Sequence, residues 1–323
     1  MTTNRRDVPD GAVPLPEAAR LALEADPDRL RSELATVTDH RWQLQRVRRL
    51  GGGIGPTADL DWRVLPLRTP GGDPDRTDPG GPGPVDFRPT PWLTRLPYLS
   101  EILDAIPAPL NAVRLMALGP GAASQPHRDP KYALERGFVR LHLPIVTHPE
   151  AVLALDGVEH CWPPGQLWFG DFSREHQVRN TGSVPRVHAV IDTLLTKPLA
   201  AWFPPRWQTA FAEGAALFNH MPLPKPATAA VLPRRGRWPA NFTEFSHDRS
   251  LSGAATDILF TVTDRTPLVT IADRQLTLVN IGAKRYRFAG WSEQRTINFT
   301  DDGILLRSII NRQLHEILTP STV

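Results

Sequence analysis

The sequence predicts a mainly β protein: a sandwich or jelly roll at the centre, helices flanking it, and a small α+β domain at the C-terminus. Between Leu110 and Leu195, short runs rich in β-branched and aromatic residues alternate with turn residues. This spacing is typical of strands in all-β sandwiches and barrels. Hydrophobic residues make up 41% of the chain and charged residues 22%, which are ordinary values for a protein with a folded core.

Outside the central strands, the sequence predicts two helical stretches, one strand and one loop. Leucines recur at helical spacing over residues 16–37, and Pro27 should break or kink that helix. Residues 98–106 follow a proline and place apolar side chains on one helical face, which predicts a second helix. The apolar run 63–67 predicts a strand, whereas proline and glycine dominate residues 69–84 and exclude regular structure there.

Shifts in composition divide the chain into four expected segments. A region rich in proline and tryptophan, with one short helix near residues 207–218, follows the central strands, and strand-like runs return from residue 258. A turn at 301–303 then leads into a predicted helix over 304–318, which makes the tail α+β. The expected segments are a flexible arm at 1–14, the main β domain with N-terminal helices at 15–200, a connector at 201–240 and a small α+β domain at 241–323.

Bulk properties narrow the classes of partner and compartment. The formal net charge of +3 argues neither for nor against nucleic acid, and no long block of lysine or arginine accompanies it, so no nucleic-acid partner is expected. Cys161 is the only cysteine, which excludes an internal disulfide and a cysteine zinc cluster. The start of the chain lacks the apolar stretch of a secretory signal, and no run is long enough to cross a bilayer. A cytoplasmic protein with no membrane partner is the default expectation, and the oligomeric state stays open.

The motif SQPHRDP suggests a metal site. It places His127 and Asp129 two residues apart, so in an extended segment both side chains project to the same face. A further histidine, His176, follows in the run GQLWFGDFSREHQV. Two histidines and one carboxylate on one face of an octahedral ion form the facial triad of non-haem iron(II) oxygenases. Three coordination positions then stay open for a bidentate keto acid and dioxygen.

A histidine two residues from an acidic residue is common by chance, and the chain contains a second example in His148 and Glu150. What favours the first is Arg186, which follows His176 at the start of the β run RVHAVIDTLL. A guanidinium there can form a bidentate, charge-assisted pair with the distal carboxylate of 2-oxoglutarate. The rival pair lies at the end of an apolar run and is assigned to a turn after a strand.

These stretches together resemble the aspartyl/asparaginyl β-hydroxylase family, which also includes bacterial proline hydroxylases. The resemblance covers residues 113–196 and rests on PGAASQPHRD, FVRLHLPI, GQLWFGDFSREHQVRN and an arginine ahead of VHAVID. It implies a double-stranded β-helix core that binds iron(II), 2-oxoglutarate and dioxygen. It further implies hydroxylation of unactivated C–H bonds in amino acids or in residues of polypeptides.

The resemblance also gives a role to Arg140 and His142. In the family, an arginine and a histidine two apart on this strand face the active site and contact the co-substrate or a substrate carboxylate. Here the two residues alternate so that they share one face; the alternative is an exposed arginine and a core histidine. The animal protein-hydroxylating branch lacks a carboxylate at the second triad position, whereas this chain has Asp129, which makes it more similar to the bacterial amino-acid or peptide hydroxylases.

Several other residues receive weaker expectations. Trp168 is expected in the core, and Asp171 is a candidate to orient His176, since metal-bound histidines usually need such a partner. Cys161 is expected to be a small buried side chain. Arg179 and Lys131 are candidates for contacts with a substrate carboxylate at the rim.

The preferred prediction for the substrate is an aspartate in a ribosomally made peptide of the lanthipeptide type, hydroxylated at its β carbon. The loop at 69–84 could form a lid, and the tail exceeds what a small-molecule hydroxylase requires, so it could dock a leader peptide; a structural or dimerising role for the tail is equally open. A free amino acid such as proline is the main alternative. Two further alternatives are a non-catalytic jelly-roll binding module and a cupin-like enzyme that uses the metal without a keto acid.

Overall fold

The computed structural model describes residues 14–48, 54–56, 60–81, 83–223, 233–245, 251–272 and 274–322. Strands dominate these residues, as the sequence predicts. The predicted arm at 1–14 lies outside the described residues except for Pro14, and so does part of the predicted connector. None of the helices in the described ranges is long and apolar enough to span a membrane.

The N-terminal two thirds of the chain contain two main sheets. Their strands, together with the small β3–β4 hairpin, are β1 (Ala18–Glu24), β2 (Gln43–Leu44), β3 (Arg46–Arg48), β4 (Ile54–Pro56), β5 (Trp62–Pro70), β6 (Phe87–Pro89), β7 (Leu110–Leu118), β8 (Phe138–Val146), β9 (Ala151–Leu155), β10 (Val158–His160), β11 (Gln166–Gly170), β12 (His176–Asn180) and β13 (Arg186–Leu194). The larger sheet has the order β1-β11-β8-β13-β7-β5-β2 with β6 beside β5, and the smaller has the order β10-β9-β12. All of these pairs are antiparallel. The predicted double-stranded β-helix, or jelly roll, is confirmed.

Helices cover the outer face of the larger sheet: α1 (Pro27–Ala35), α2 (Pro97–Ala105), α3 (Lys197–Ala200) and α4 (Pro205–Ala212). Because this sheet has a helical layer on one side and the jelly-roll interior on the other, β13 is buried at all nine positions. Alternate residues of a strand face opposite sides. Thus Ala189 and Ile191 join the apolar core beneath the helices, while the alternate residues Val190 and Asp192 face the interior of the jelly roll.

The tail forms one nine-stranded antiparallel meander. Its strands are β14 (Arg234–Pro239), β15 (Ala255–Thr263), β16 (Thr266–Ile271), β17 (Arg274–Gly282), β18 (Arg285–Phe288), β19 (Arg295–Phe299), β20 (Ile304–Ile310), β21 (Gln313–Thr319) and β22 (Ser321–Thr322). The meander closes on itself because β22, which follows β21 directly, pairs with β14. Aromatic side chains fill its interior, among them Phe260, Phe288 and Phe299.

The tail packs directly against the jelly roll. A single apolar cluster contains residues of both parts, and Trp291 lies edge-on to Phe138 at a centroid distance of 5.1 Å. Hydrogen bonds cross the same boundary: Asn219 accepts from the backbone N–H of Glu293 at 2.8 Å. The division into domains at residues 200 and 240 stays a prediction.

One predicted helix is wrong and another is wrong in its first part, for the same reason. The stretch 16–37 contains α1, which begins at the predicted break and buries Leu30 and Leu34. Residues 18–24, however, form edge strand β1, in which Ala19 and Leu21 are buried at a period of two. The predicted helix over 304–318 is the β20–β21 hairpin, so the tail is β rather than α+β in its described part, apart from a short 3-10 helix at Ala240–Thr243. The turn of this hairpin places Asn311 and Arg312 at positive φ, as tight hairpins require. In both places, pairing with a neighbouring strand overrides a local pattern that fits a helix.

Other local predictions are confirmed. Helix α2 and strand β5 occur where the sequence predicts them. The loop predicted over 69–84 is confirmed for its described residues after Pro70, whereas Thr69 and Pro70 belong to β5. The short helix predicted near 207–218 is present as α4 but ends at Ala212.

Candidate active site

A cavity of about 660 Å³ lies inside the jelly roll, within the range of about 300–1,000 Å³ that is common for ligand pockets. Strands β5, β7, β8 and β13 line one side. Strand β12, Phe172 and residues 123–129 line the other. Apolar and polar residues alternate along β8 and β13, so the polar ones converge on this space. The titratable side chains in its wall are Arg114, His127, Asp129, Arg140, His142, His176 and Arg186.

The structure brings the three predicted metal ligands together. His127 and His176 are direct neighbours on adjacent extended segments, joined by reciprocal backbone hydrogen bonds of 3.0 and 2.9 Å. Asp129 is held nearby because its N–H donates to the carbonyl of Phe172 at 2.9 Å. One ligand atom from each of the three side chains lies within 4.8 Å of the others. Residues far apart in sequence therefore present two imidazoles and one carboxylate to one point.

The hydrogen bonds of the two imidazoles fit a metal ion. Nδ1 of His127 lies 2.8 Å from the carbonyl oxygen of Gln125, and Nδ1 of His176 lies 3.0 Å from that of Arg174. A carbonyl only accepts, so each Nδ1 carries the proton and each Nε2 has a free lone pair. Burial lowers the pKa of His176 to about 4, so this imidazole is neutral at pH 7, as metal binding requires.

Asp171 does not contact His176 directly, contrary to its suggested role. Its carboxylate accepts from the hydroxyl of Ser173 and, at 2.9 Å, from Nε of Arg174. Because the carbonyl of Arg174 is the group that holds the His176 ring, Asp171 can act on that ring only through the loop.

A buried ionic network lies beside the predicted ligands. Asp192 accepts from Nε of Arg140 at 2.6 Å and from the hydroxyl of Tyr132 at 2.7 Å, and Arg140 also donates to Asp129. Burial opposes the charge of Arg140, but Asp192, Tyr132 and Asp129 outweigh it and raise the pKa of Arg140 well above its usual value. Asp192 thereby holds the guanidinium of Arg140 against the Asp129 carboxylate.

The buried positive charge of Arg114 is far less well compensated by nearby carboxylates. This residue is 1% exposed and lines the cavity. Its terminal nitrogen lies 3.3 Å from a carboxylate oxygen of Asp192, a long contact with an acceptor that Arg140 and Tyr132 already use. Its buried Nε has no hydrogen-bond partner among the described residues, and burial lowers its pKa despite the nearby carboxylate. A buried cation of this kind favours an anionic ligand.

Arg186 and His142 meet at a third residue, His188. A terminal nitrogen of Arg186 donates to Nδ1 of His188 at 2.9 Å, and Nδ1 of His142 lies 3.3 Å from the same atom. Burial, followed by the charge of Arg186, lowers the pKa of both histidines well below the usual range, so both are neutral. Since arginine only donates, Nδ1 of His188 accepts and its proton is on Nε2. Burial also lowers the pKa of Arg186, to about 10, which leaves it charged at pH 7.

The remaining expectations have mixed outcomes. Trp168 is partly buried and stacks on Trp162 at 5.5 Å, whereas Cys161 is exposed, so its predicted burial is wrong. Arg179 pairs with Glu159 at 2.7 Å on the surface and is not among the cavity-lining residues.

Lys131 and the rival histidine pair also lie outside the cavity wall. The ammonium of Lys131 is 4.8 Å from the ring of Phe138 and 5.2 Å from that of Trp291, against the tail, and burial lowers its pKa to about 8. His148 pairs with Glu150 at 3.0 Å in the turn after β8, as predicted.

Sequence reasoning missed Arg114, Tyr132, His188 and Asp192. Two of these, His188 and Asp192, lie at inward positions of β13, the strand that carries Arg186. Reading every second residue of RVHAVID from Arg186 onward would have identified His188 and Asp192.

This donor set and fold define an iron(II)- and 2-oxoglutarate-dependent oxygenase of the hydroxylase type. A sequence model of the family described as aspartyl/asparaginyl β-hydroxylase matches residues 24–195, more than half of the chain. The chain belongs to this family. Membership makes it an enzyme with iron(II), 2-oxoglutarate and dioxygen as its cofactor and co-substrates, rather than a non-catalytic binding module.

Several solved structures are similar over part of the chain. A prolyl-4-hydroxylase from Pseudomonas putida shares 16% identity over 55% of this chain and 92% of its own, with a TM-score of 0.33. An oxidoreductase of the 2OG-Fe(II) oxygenase family from Burkholderia pseudomallei shares 10% over 50% and 78%, with a TM-score of 0.32. A predicted oxalate decarboxylase from Thermotoga maritima shares 13% over 48% and 95%, with a TM-score of 0.25. Scores this low say nothing about the substrate of this chain.

Proposed function

We propose that this enzyme hydroxylates the β carbon of an aspartate in a ribosomally made peptide, such as a lanthipeptide precursor. The observation that carries this proposal is the poorly compensated guanidinium of Arg114 at the cavity wall, next to Arg140. A free amino acid of the proline type is the main alternative.

In this proposal, His127, Asp129 and His176 hold the iron through the two free Nε2 atoms and a carboxylate oxygen. When bound, iron and 2-oxoglutarate supply the oxidation: dioxygen gives one oxygen atom to succinate and one to a substrate C–H bond, and carbon dioxide leaves. Arg186 pairs with the distal carboxylate of 2-oxoglutarate. Because its guanidinium is buried, this ion pair forms away from bulk water, where it is strong.

Arg140 and His142 line the wall of the same cavity. Arg140 is fixed in place by Asp192 and touches Asp129, so it can steady that carboxylate and still offer an N–H group to a second one. His142 presents an Nε2 atom with no hydrogen-bond partner among the described residues. We assign both residues to contacts with the co-substrate or with the substrate carboxylate.

Charge balance favours a substrate with an acidic side chain. The guanidinium groups of Arg114, Arg140 and Arg186 outnumber the carboxylates of Asp129 and Asp192 by one. Iron(II) and doubly charged 2-oxoglutarate add equal and opposite charges, so the excess persists once both are bound. An aspartate side chain cancels it. A neutral free amino acid such as proline is a zwitterion with no net charge, so it leaves the excess in place.

A matched substrate panel tests this proposal. The panel contains peptides that differ only in carrying Asp, Asn, Glu or Pro at one position, together with the free amino acids. With iron(II) and 2-oxoglutarate present, the Asp peptide is expected to give the fastest succinate release and to gain one oxygen by mass. The Asn peptide should react at least about tenfold more slowly, since a charged hydrogen bond contributes roughly 1.5–3 kcal/mol. Equal rates for Asp and Asn, or turnover of free amino acids alone, would contradict the proposal.

Replacing His188 by leucine should weaken the binding of 2-oxoglutarate. The change removes the hydrogen-bond acceptor of Arg186, so that the guanidinium is less well placed for the distal carboxylate. We expect KM for 2-oxoglutarate to rise by about tenfold or more, because hydrogen bonds to charged groups contribute roughly 1.5–3 kcal/mol, while KM for the peptide changes little. His188→Asn, which keeps an acceptor, should recover part of the loss. An unchanged KM for 2-oxoglutarate in His188→Leu would show that His188 does not position Arg186.

A further inference from the structure

Residues 122–127, which lead up to Asp129, form an irregular outer strand on the smaller sheet. It runs antiparallel to β12: the N–H of Ser124 donates to the carbonyl of Val178 at 2.8 Å, and the N–H of Asn180 donates to the carbonyl of Ala122 at 2.9 Å. The pairing continues to His127. The backbone groups of this segment that face β12 are therefore satisfied.

Ala123 faces the other way. In an antiparallel pair, successive residues direct their backbone groups to opposite sides, and Ala123 lies between the two residues bonded to β12. Within the described residues, its N–H and carbonyl have no hydrogen-bond partner, and neither has the N–H of Gln125. Both residues are exposed and both line the mouth of the cavity. The result is an open strand edge at the entrance to the active site.

Part of the cavity wall is apolar. Leu60 and Trp62 line it, both half-buried, whereas Arg114 and Arg186, which favour a carboxylate, are buried in the same wall. An extended peptide matches this arrangement. Its backbone can pair with the free edge, its alternate side chains can contact the apolar wall, and one acidic side chain can reach the interior.

We propose that the substrate peptide binds as an added strand along Ala123 and Gln125, with its backbone paired to the N–H and carbonyl of Ala123. This inference rests on the proposed function, because the occupant is the peptide whose aspartate is hydroxylated. Ala123 precedes His127 by four positions. Each strand residue advances the chain by about 3.3 Å, so paired strands advance by equal numbers of residues. The peptide residue that pairs with Ala123 thus lies roughly three to four residues from the aspartate that reaches the metal site.

A backbone scan of the substrate tests the proposal without altering the protein. The probe is the Asp peptide that turns over in the substrate panel, made as a series with one backbone N-methyl group in each member. N-methylation removes a donor and adds bulk at the paired edge. We expect the Kd measured by titration to rise about three- to tenfold, as the loss of a hydrogen bond implies, at the position three to four residues from the aspartate on one side only. Truncation just short of that position should give the same loss.

The protein-side variant is Ala123→Pro, with Ala123→Ser as its matched control. Proline removes the N–H without breaking a hydrogen bond of the described structure, whereas serine keeps the N–H. Ala123→Pro should raise Kd for the peptide by a similar factor and leave the consumption of 2-oxoglutarate without peptide unchanged. A flat N-methyl scan overturns the docking proposal even if Asp peptides are hydroxylated, so the proposed function survives. Turnover of free amino acids without peptide binding overturns both.

Discussion

Replacing His176 by alanine is expected to abolish iron retention and reduce hydroxylation by more than 100-fold. The change removes one of the three groups that converge within 4.8 Å. Mutation of a residue that acts on a metal only through its ligands typically lowers metal affinity or activity about 10–100-fold. Loss of a ligand itself should lower them more. The measurements are iron per chain after desalting and the rate of succinate release. Without air, the wild type with iron(II) and 2-oxoglutarate should also show the visible charge-transfer band of the chelated keto acid, which the variant should lack.

His148→Ala is the matched control for this experiment. His148 also lies two residues before an acidic residue in the sequence, but the structure places it in a turn, paired with Glu150. It should retain iron and activity. If His176→Ala bound iron as the wild type does, or if His148→Ala lost it, the proposed ligand set would be wrong.

Replacing Arg114 by methionine is expected to lower kcat/KM for the Asp peptide by about 100-fold and to remove the preference for Asp over Asn. Truncation of one partner of a buried charge pair typically costs about 2–5 kcal/mol, and each 1.36 kcal/mol is tenfold in rate. Methionine fills similar space without charge. The consumption of 2-oxoglutarate without peptide should change little, since Arg186 rather than Arg114 is assigned to the co-substrate.

The Asp-to-Asn ratio of kcat/KM is the decisive measurement because a general loss of folding would lower both rates equally. Thermal unfolding of Arg114→Met checks the fold, since the variant also leaves Asp192 with one fewer cation. Arg114→Lys, which keeps the charge, should retain part of the preference for Asp. A ratio unchanged from the wild type in Arg114→Met would remove the basis for the aspartate proposal and leave the oxygenase assignment intact.

Part of the candidate site could be predicted because it depends on the spacing of neighbouring residues in the sequence. His127 and Asp129 are two residues apart, and an extended backbone alone puts such side chains on one face. The same rule links Arg140 with His142. The predicted burial of Cys161 rested on residue type instead and is wrong, since Cys161 is exposed. Burial depends on which strands pass nearby and not on the type of residue.

The wrong helices show the limit of periodicity. The sequence ILLRSII is apolar enough to suit a buried helix or a strand, and only the closure of the tail meander decides for strands β20 and β21. Residues 18–24 form a strand because β11 offers an edge to pair with. Both decisions depend on hydrogen bonds to residues far away in the chain, which no local pattern records.

By itself, the sequence predicted the class of fold, the three candidate ligands and the candidate arginine for the dicarboxylate, since residue types and short spacings within single segments carry these signals. Only the tertiary structure decided the electrostatics of the cavity. The network joins Asp192 to residues from three other segments, and the free edge at Ala123 exists only because β12 occupies its other side. Charge compensation and backbone pairing are properties of neighbours in space, so they emerge only when the sheets are assembled.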